Sequence, residues 1–184
     1  MRHDTEQLAE HLFKLLIVRK LTLITAESCT AGALSQRLAD TPGAGQQFHG
    51  GFVTYTKEQK ACALGVPSDL LRQKGAVCVE VARAMAEGAL RHTKADLAAA
   101  ITGVAGPEPD EDGNPVRRVC IAIARRTGTT EDFERQYPAD GRDAIRRQAI
   151  HDTLEALIAT VTRQAAPPAP HVSGDRKRAG GVPG

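Results

Sequence analysis

This chain is organised around one stretch of twelve residues, Leu21-Thr22-Leu23-Ile24-Thr25-Ala26-Glu27-Ser28-Cys29-Thr30-Ala31-Gly32. Its first half is apolar and β-branched, a composition typical of a buried strand. Its second half is small and hydroxylic and leads into a helical pattern, so the stretch predicts a strand-to-helix turn. Unpaired backbone N–H groups and the positive end of a helix dipole stabilise an anion at such a turn. Ser28, Cys29 and Thr30 are therefore candidates for phosphate binding or for nucleophilic chemistry.

Predicted helices and strands alternate outward from this stretch. We expect helices over residues 4–19, 57–64, 67–75, 79–93 and 141–164, and a further helix that follows the quoted stretch and ends at residue 39. The expected strands cover residues 21–26, 48–55, 96–102, 116–126 and 131–137. Asp4 is the expected cap of the first helix, and Gly50 and Gly51 predict a bulge or a close approach. The last two strands form a hairpin whose polar second strand is expected at an edge. This alternation predicts an α/β sandwich with a mixed sheet.

The length of 184 residues predicts one domain, over residues 1–164, and a disordered tail over 165–184 rich in Pro, Gly, Ala and charge. The formal charge is +2, but the segment 167–184 alone contributes +2, leaving 21 basic and 21 acidic residues in the rest. The body therefore has no global basic field, and nucleic-acid binding through Arg176, Lys177 and Arg178 is disfavoured.

The four cysteines lack the spacing of a zinc site, so we expect free thiols and no structural metal. The N-terminus has no apolar core typical of a signal peptide, and no run of 18 apolar residues occurs. A soluble, cytoplasmic protein without membrane contact is expected.

Three motifs carry a resemblance to a known family: Thr25-Ala26-Glu27-Ser28-Cys29-Thr30, then Gly51-Phe52-Val53-Thr54-Tyr55 with Lys60, then Ile101-Thr102-Gly103-Val104-Ala105-Gly106-Pro107. Their order and spacing resemble the CinA C-terminal domain family over roughly residues 5–163. The resemblance implies a three-layer α/β/α sandwich with a mixed, largely parallel sheet, and a homodimer. It also implies deamidation of nicotinamide mononucleotide, a small-molecule nucleotide, to nicotinate mononucleotide and ammonia, with neither cofactor nor metal.

The catalytic candidates are Ser28, Lys60, Tyr55 and Thr102. A serine before a helix is more often a cap than a nucleophile, and an isolated lysine is more often exposed; the resemblance reverses both preferences. If Lys60 points inward, its amine loses hydration, its pKa falls, and it can take the Ser28 proton. Tyr55 would orient the amine or relay a proton, and Thr102 ends a strand where α/β folds bind ligands. Cys29 is a rival nucleophile, although a packed small residue is the preferred interpretation.

The substrate-binding candidates are the backbone of Cys29 and Thr30 for an oxyanion, the turn at Gly103 and Gly106, and Arg142 for a phosphate. Arg146 and Arg147 lie nearby in the sequence, and either forms an ordinary ion pair with Asp143 or Glu131 as the alternative. Glu27 is expected to cap or pair locally.

Three departures from the family pattern concern the site. Ala31 replaces the first of two glycines, and the acidic loop Glu108-Pro109-Asp110-Glu111-Asp112-Gly113 replaces a glycine-rich run. Asn114-Pro115-Val116-Arg117 then stands where the family has Lys-Pro-Val-Gly, so the whole loop over 108–117 is altered. An acidic loop beside a phosphate site favours an alternative hypothesis, a catalytically weak nucleotide-binding module of the same fold.

Overall fold

The computed structural model describes residues 2–138 and 141–163, so the expected tail at 165–184 lies outside the described residues. Within them the helices are α1 (Arg2–Arg19), α2 (Ala33–Ala39), α3 (Ala44–Gln47), α4 (Lys57–Leu64), α5 (Ser68–Lys74), α6 (Val79–Arg91) and α7 (Arg142–Arg163). The strands are β1 (Leu23–Glu27), β2 (Phe48–Val53), β3 (Leu97–Gly103), β4 (Arg118–Arg125) and β5 (Glu131–Gln136). None of these helices combines the length and apolarity needed to cross a bilayer.

The strands form one sheet in the order β2-β1-β3-β4-β5 across the described residues. β1 pairs in parallel with β2 and β3, whereas β4 is antiparallel to both β3 and β5. Only β4 therefore runs against the other four strands, which confirms the prediction of a mixed, largely parallel sheet. The predicted hairpin is β4–β5, and its polar strand lies at the sheet edge as expected.

Alternate residues of the central strands face two separate apolar layers. On one face Leu97, Ala99 and Ile101 of β3 pack in a core that includes residues of α1, α2 and α7. On the other face Ala98 and Ala100 pack with α6 and with residues of α4 and α5. Helices thus cover both faces of the sheet, which confirms the three-layer α/β/α sandwich.

The α6 side of the sheet is built from small residues. β3 and β4 present alanines and Cys120 to α6, which itself contributes Ala82, Ala86 and Ala89. Gly88 of α6 also lies against α4, where an added Cβ would sit 2.1 Å from the carbonyl oxygen of Leu64. This close packing places α4, the helix that carries Lys60, near the sheet.

Several boundaries differ from the sequence predictions. α1 begins at Arg2, so Asp4 lies in its first turn instead of capping it. α2 begins at Ala33 because the turn before it extends through Gly32, and the short α3 was not predicted. The expected bulge is present, since Leu23 pairs with Phe48 and Ile24 with Gly50.

Gly88→Ala tests the α4–α6 packing. Glycine to alanine inside a helix normally stabilises by about 1 kcal/mol, but here the new methyl group meets backbone, so we expect a loss of about 1–3 kcal/mol. The measurement is the free energy of unfolding in urea. Gly45→Ala in α3 is the control, because no atom lies within 4 Å of the new methyl group, and it should be neutral or stabilising. A Gly88→Ala protein at least as stable as the wild type would contradict this packing.

Candidate active site

The carboxyl ends of the three parallel strands meet at one edge of the sheet, where they border a cavity of about 460 Å³. Ser28 follows β1, Tyr55 follows β2, and Thr102 and Gly103 end β3. The cavity is lined by Ser28, Cys29, Tyr55, Thr56, Lys57, Lys60, Ala76, Val77, the segment 102–112, Arg142 and Arg146. The fold therefore brings all of the sequence-predicted site residues except Thr30 to this one cavity.

Lys60 points inward from α4 and is fully buried. Thr56 caps this helix through its side chain, which accepts from the N–H of Gln59. The Lys60 Nζ donates to Ser28 Oγ at 2.8 Å, to the Thr54 carbonyl at 2.8 Å and to the Tyr55 carbonyl at 3.3 Å. These acceptors are neutral, and no described carboxylate forms an ion pair with the amine.

Burial favours the neutral form of both the Lys60 amine and the Cys29 thiol, which moves their pKa values in opposite directions. Loss of hydration lowers the pKa of Lys60 to about 8, a shift that the neighbouring Cys29 thiol opposes. Burial also raises the pKa of the Cys29 thiol to about 12, although Arg146 and Lys60 lower it in part. Near neutral pH Cys29 is therefore a protonated, unreactive thiol, whereas the lysine has an accessible neutral form.

The turn at residues 28–32 contains consecutive left-handed residues. Ala31 has φ 53° and Gly32 has φ 92°, and an alanine in this region costs about 1–2 kcal/mol. The fully buried Glu27 carboxylate accepts from the backbone N–H groups of Gly32, Leu34 and Ser35. Glu27 thus caps α2 locally, as expected, and holds the end of the strained turn.

The backbone of this turn offers hydrogen-bond donors. The Ser28 N–H donates to the Ile101 carbonyl at 2.9 Å. Neither the Cys29 N–H nor the Thr30 N–H donates to another residue among those the structure describes. The Thr30 hydroxyl is buried, has no partner there and does not line the cavity.

Thr102 and Tyr55 both line the cavity, and neither side chain bonds to Lys60. The buried Thr102 hydroxyl donates to the Ala76 carbonyl at 2.8 Å. The Tyr55 side chain is 61% exposed, and its contact with Lys60 runs through the backbone carbonyl. The predicted role of the Tyr55 hydroxyl in orienting the amine therefore has no hydrogen bond in this structure.

Two arginines of α7 reach the cavity. Arg142 donates from Nη2 to the carbonyl of Gly106, which has φ 87°. Arg146 donates from Nε to the Cys29 carbonyl at 2.7 Å. The alternative that Arg146 pairs with Asp143 or Glu131 is not observed, and Glu131 pairs with Arg163 instead.

The acidic loop lies along one wall of the cavity. Asp112 accepts from Lys57 Nζ at 2.5 Å and from the Ala76 N–H at 3.1 Å, and Glu111 lies 3.0 Å from the same amine. The ion pair lowers the pKa of Asp112. Lys57 therefore fastens this loop to the start of α4.

The sequence did not predict that Lys57 and Arg146 line the cavity. It also did not predict which backbone groups Glu27 binds. The partners of Lys57 and Arg146 lie far away in the sequence, at Asp112 and Cys29. Only for Glu27 was there a local signal, a carboxylate placed before a helix start.

The described residues hold one group of potential metal ligands, His151, Asp152 and Glu155 on α7. None of the three lines the cavity. The expectation that the site works without a metal stays a prediction.

The chain is similar in sequence to proteins of one known family. The model of the CinA C-terminal domain matches residues 5–161. A putative competence-damage inducible protein of Symbiobacterium thermophilum is 49% identical over 123 residues, which are 67% of this chain and 29% of that protein. The nicotinamide-nucleotide amidohydrolase PncC of Escherichia coli (strain K12) is 40% identical over 151 residues, 82% of this chain and 91% of that protein. The chain thus spans about a third of the length of the competence-damage inducible protein and most of the length of PncC.

Solved structures agree with the sequence matches. The crystal structure of the competence/damage inducible protein CihA from Agrobacterium tumefaciens has a TM-score of 0.81 and 38% identity, covering 85% of this chain and 94% of that one. A CinA superfamily protein from Klebsiella pneumoniae has a TM-score of 0.83 and 33% identity, covering 86% of this chain and 98% of that one.

Ala31→Gly tests the strain in the turn. Glycine adopts φ 53° without a steric cost, so we expect a gain of about 0.5–1 kcal/mol in the free energy of unfolding after its entropic cost. Ala61→Gly inside α4 is the matched control and should instead lose about 1 kcal/mol. Urea unfolding of both variants measures the difference. Equal losses in the two variants would show that Ala31 is not strained.

Proposed function

The chain belongs to the CinA C-terminal domain family, and from that premise we propose that it is an amidohydrolase that deamidates nicotinamide mononucleotide. The products are nicotinate mononucleotide and ammonia. A relative of nearly equal length that carries the name nicotinamide-nucleotide amidohydrolase supports the substrate. We further propose that the protein acts in the cytoplasm as a homodimer.

The observation that carries this proposal is the 2.8 Å contact between Lys60 Nζ and Ser28 Oγ in a buried setting. A neutral Lys60 amine takes the Ser28 proton while Oγ attacks the carboxamide carbon. The resulting ammonium returns the proton to the leaving nitrogen, the C–N bond breaks and ammonia departs. Water then attacks the Ser28 ester by the same proton transfers, which releases the carboxylate and restores the hydroxyl.

The surrounding groups have complementary tasks in this mechanism. The backbone N–H groups of Cys29 and Thr30 stabilise the oxyanion of the tetrahedral intermediate. Arg142 binds the substrate phosphate, because a guanidinium fork matches phosphate geometry. Gly103 and Gly106 allow the substrate to approach the backbone closely.

Tyr55 and Thr102 complete the proposed site. Thr102 holds the cavity wall at Ala76 and offers its oxygen as an acceptor. Tyr55, exposed at the mouth, contacts the substrate as it enters. The expected relay through the Tyr55 hydroxyl then requires the bound substrate to bridge it to the amine.

The second candidate is a nucleotide-binding module with little catalysis. The observation that favours it is the acidic loop on the cavity wall, where Glu108 and Asp110 add negative charge beside a phosphate. Repulsion between these carboxylates and a phosphate weakens productive binding.

Ammonia release from nicotinamide mononucleotide, nicotinamide riboside and simple amides separates the two candidates. The amidohydrolase releases stoichiometric ammonia from the mononucleotide, whereas the binding module binds it without release. Activity on simple amides alone would overturn the nucleotide assignment.

Ser28→Ala and Lys60→Ala should each remove most turnover, by about 10³-fold or more, because nucleophile and base act as one unit. The double variant should cost little more than either single change. Cys29→Ala should be mild, and Lys74→Ala on the exposed surface is the control lysine. Turnover numbers from the ammonia assay measure all five variants. A dead Cys29→Ala enzyme beside an active Ser28→Ala enzyme would transfer the nucleophilic role to the thiol.

Turnover should rise with pH through an apparent pKa of about 8, because only neutral Lys60 acts as the base. The same lowered pKa makes the unfolded chain bind more protons between about 8 and the ordinary value of 10.5. Stability from this group is therefore least below about pH 8 and increases up to about 10.5. Lys60→Met should abolish that increase in urea unfolding experiments. A pH-independent turnover would contradict the role of Lys60 as base.

A further inference from the structure

Arg146 makes a hydrogen bond that the proposed mechanism leaves unused. Its Nε donates at 2.7 Å to the carbonyl of Cys29, a residue 117 positions away in the sequence. The side chain is half-buried and lines the cavity. No carboxylate of the described residues pairs with it, so the Cys29 carbonyl is the partner that fixes its guanidinium.

The Arg146 bond lies in the middle of the turn, between two anchored ends. On the N-terminal side, the Ser28 N–H donates to the Ile101 carbonyl of β3. On the C-terminal side, the Gly32 N–H donates to the Glu27 carboxylate. Between these points the turn also bonds locally, from the Ala31 N–H to the Ser28 carbonyl and from the Ala33 N–H at the start of α2 to the Thr30 carbonyl. Within the described part of the chain, the bond from Arg146 is the only hydrogen bond that ties residues 29–31 to an element other than the adjoining α2.

Those three residues need a restraint. Ala31 holds a left-handed conformation that alanine disfavours, so the free turn has a reason to relax toward another backbone conformation. Relaxation would rotate the peptide planes of Cys29 and Thr30 and move the neighbouring Ser28 Oγ relative to the Lys60 amine. A guanidinium on the Cys29 carbonyl opposes that rotation.

We propose that Arg146 is a positioning residue that acts through the Cys29 carbonyl and holds the Ser28 turn in its reactive geometry. The inference rests on the proposed amidohydrolase function for its kinetic consequence. The arginine touches no reacting atom in this role. It keeps Ser28 Oγ on the lysine and keeps the Cys29 and Thr30 N–H groups in place for the oxyanion.

The kinetic test compares Arg146→Gln and Arg146→Ala with Arg147→Gln, an exposed neighbour on α7. We expect the Arg146 variants to lose about 10- to 100-fold in kcat, since small misplacements of reacting groups cost rates of this order. KM for nicotinamide mononucleotide should stay within about 2-fold, because ground-state binding is not removed. Arg147→Gln should match the wild type. Guanidinium chloride at millimolar concentration should restore part of the activity of Arg146→Ala, and sodium chloride of equal ionic strength should not.

Amide hydrogen exchange followed by mass spectrometry tests the same inference without any activity. In Arg146→Ala, exchange over residues 29–34 should accelerate by about 10-fold, while residues 119–124 of β4 keep the wild-type rate, because only the turn is released. If the wild type releases no ammonia, the proposed function fails and this measurement alone decides the positioning role.

Three results would overturn the inference. A raised KM with unchanged kcat would make Arg146 a substrate contact. Faster exchange in β4 as well as in the turn would make it a general structural residue. Unchanged kinetics and unchanged exchange would leave it no role in the turn.

Discussion

A lysine amine buried without a carboxylate partner among residues 2–138 and 141–163 is the constraint on which the site depends. Lys60 Nζ bonds to Ser28 Oγ and to two backbone carbonyls, all of them neutral. Removing an ammonium group from water is costly when no counter-charge compensates it, so burial shifts the balance toward the neutral amine and lowers the pKa of Lys60 to about 8. A lysine with a purely structural role is normally exposed or paired with a carboxylate. The cost of burying Lys60 unpaired is explained if its neutral amine acts as a base.

The sheet determines where that amine can lie. β1 and β2 pair in parallel with Glu27 opposite Val53, and the Thr54 N–H then donates to the Glu27 carbonyl. This pairing aligns the end of β2 with Ser28, so the carbonyls of Thr54 and Tyr55 face the position of Nζ. α4 starts directly afterwards at Lys57, and its first turn brings Lys60 back over the end of β1. The contact is therefore a product of strand register and a well-capped helix together.

The turn after Ser28 combines strain with anchoring. Ala31 is left-handed without being glycine, whereas the buried Glu27 carboxylate satisfies three backbone donors of α2. Gly51 leaves the space that this arrangement needs, because a Cβ there would lie 2.2 Å from Thr25 Oγ1 and 2.3 Å from Ser35 Oγ. Strained backbone held by its surroundings is common at functional sites. The Glu27 contacts thus hold Gly32 and the start of α2 directly beside the strained Ala31.

Much of this protein was determined by the sequence alone. The apolar run before Ser28, the small polar residues after it and the alternation of periodicities predicted the α/β sandwich, the edge hairpin and the site at the strand ends. Local signals suffice there because strand burial and helix periodicity depend on neighbouring residues. Three contacts depend instead on tertiary packing: Lys60 is buried on Ser28, Lys57 pairs with the acidic loop and Arg146 reaches the Cys29 carbonyl. Each of these contacts joins residues 32 to 117 positions apart, and the direction of a long, flexible side chain is set by the packing of whole elements, which no local pattern records.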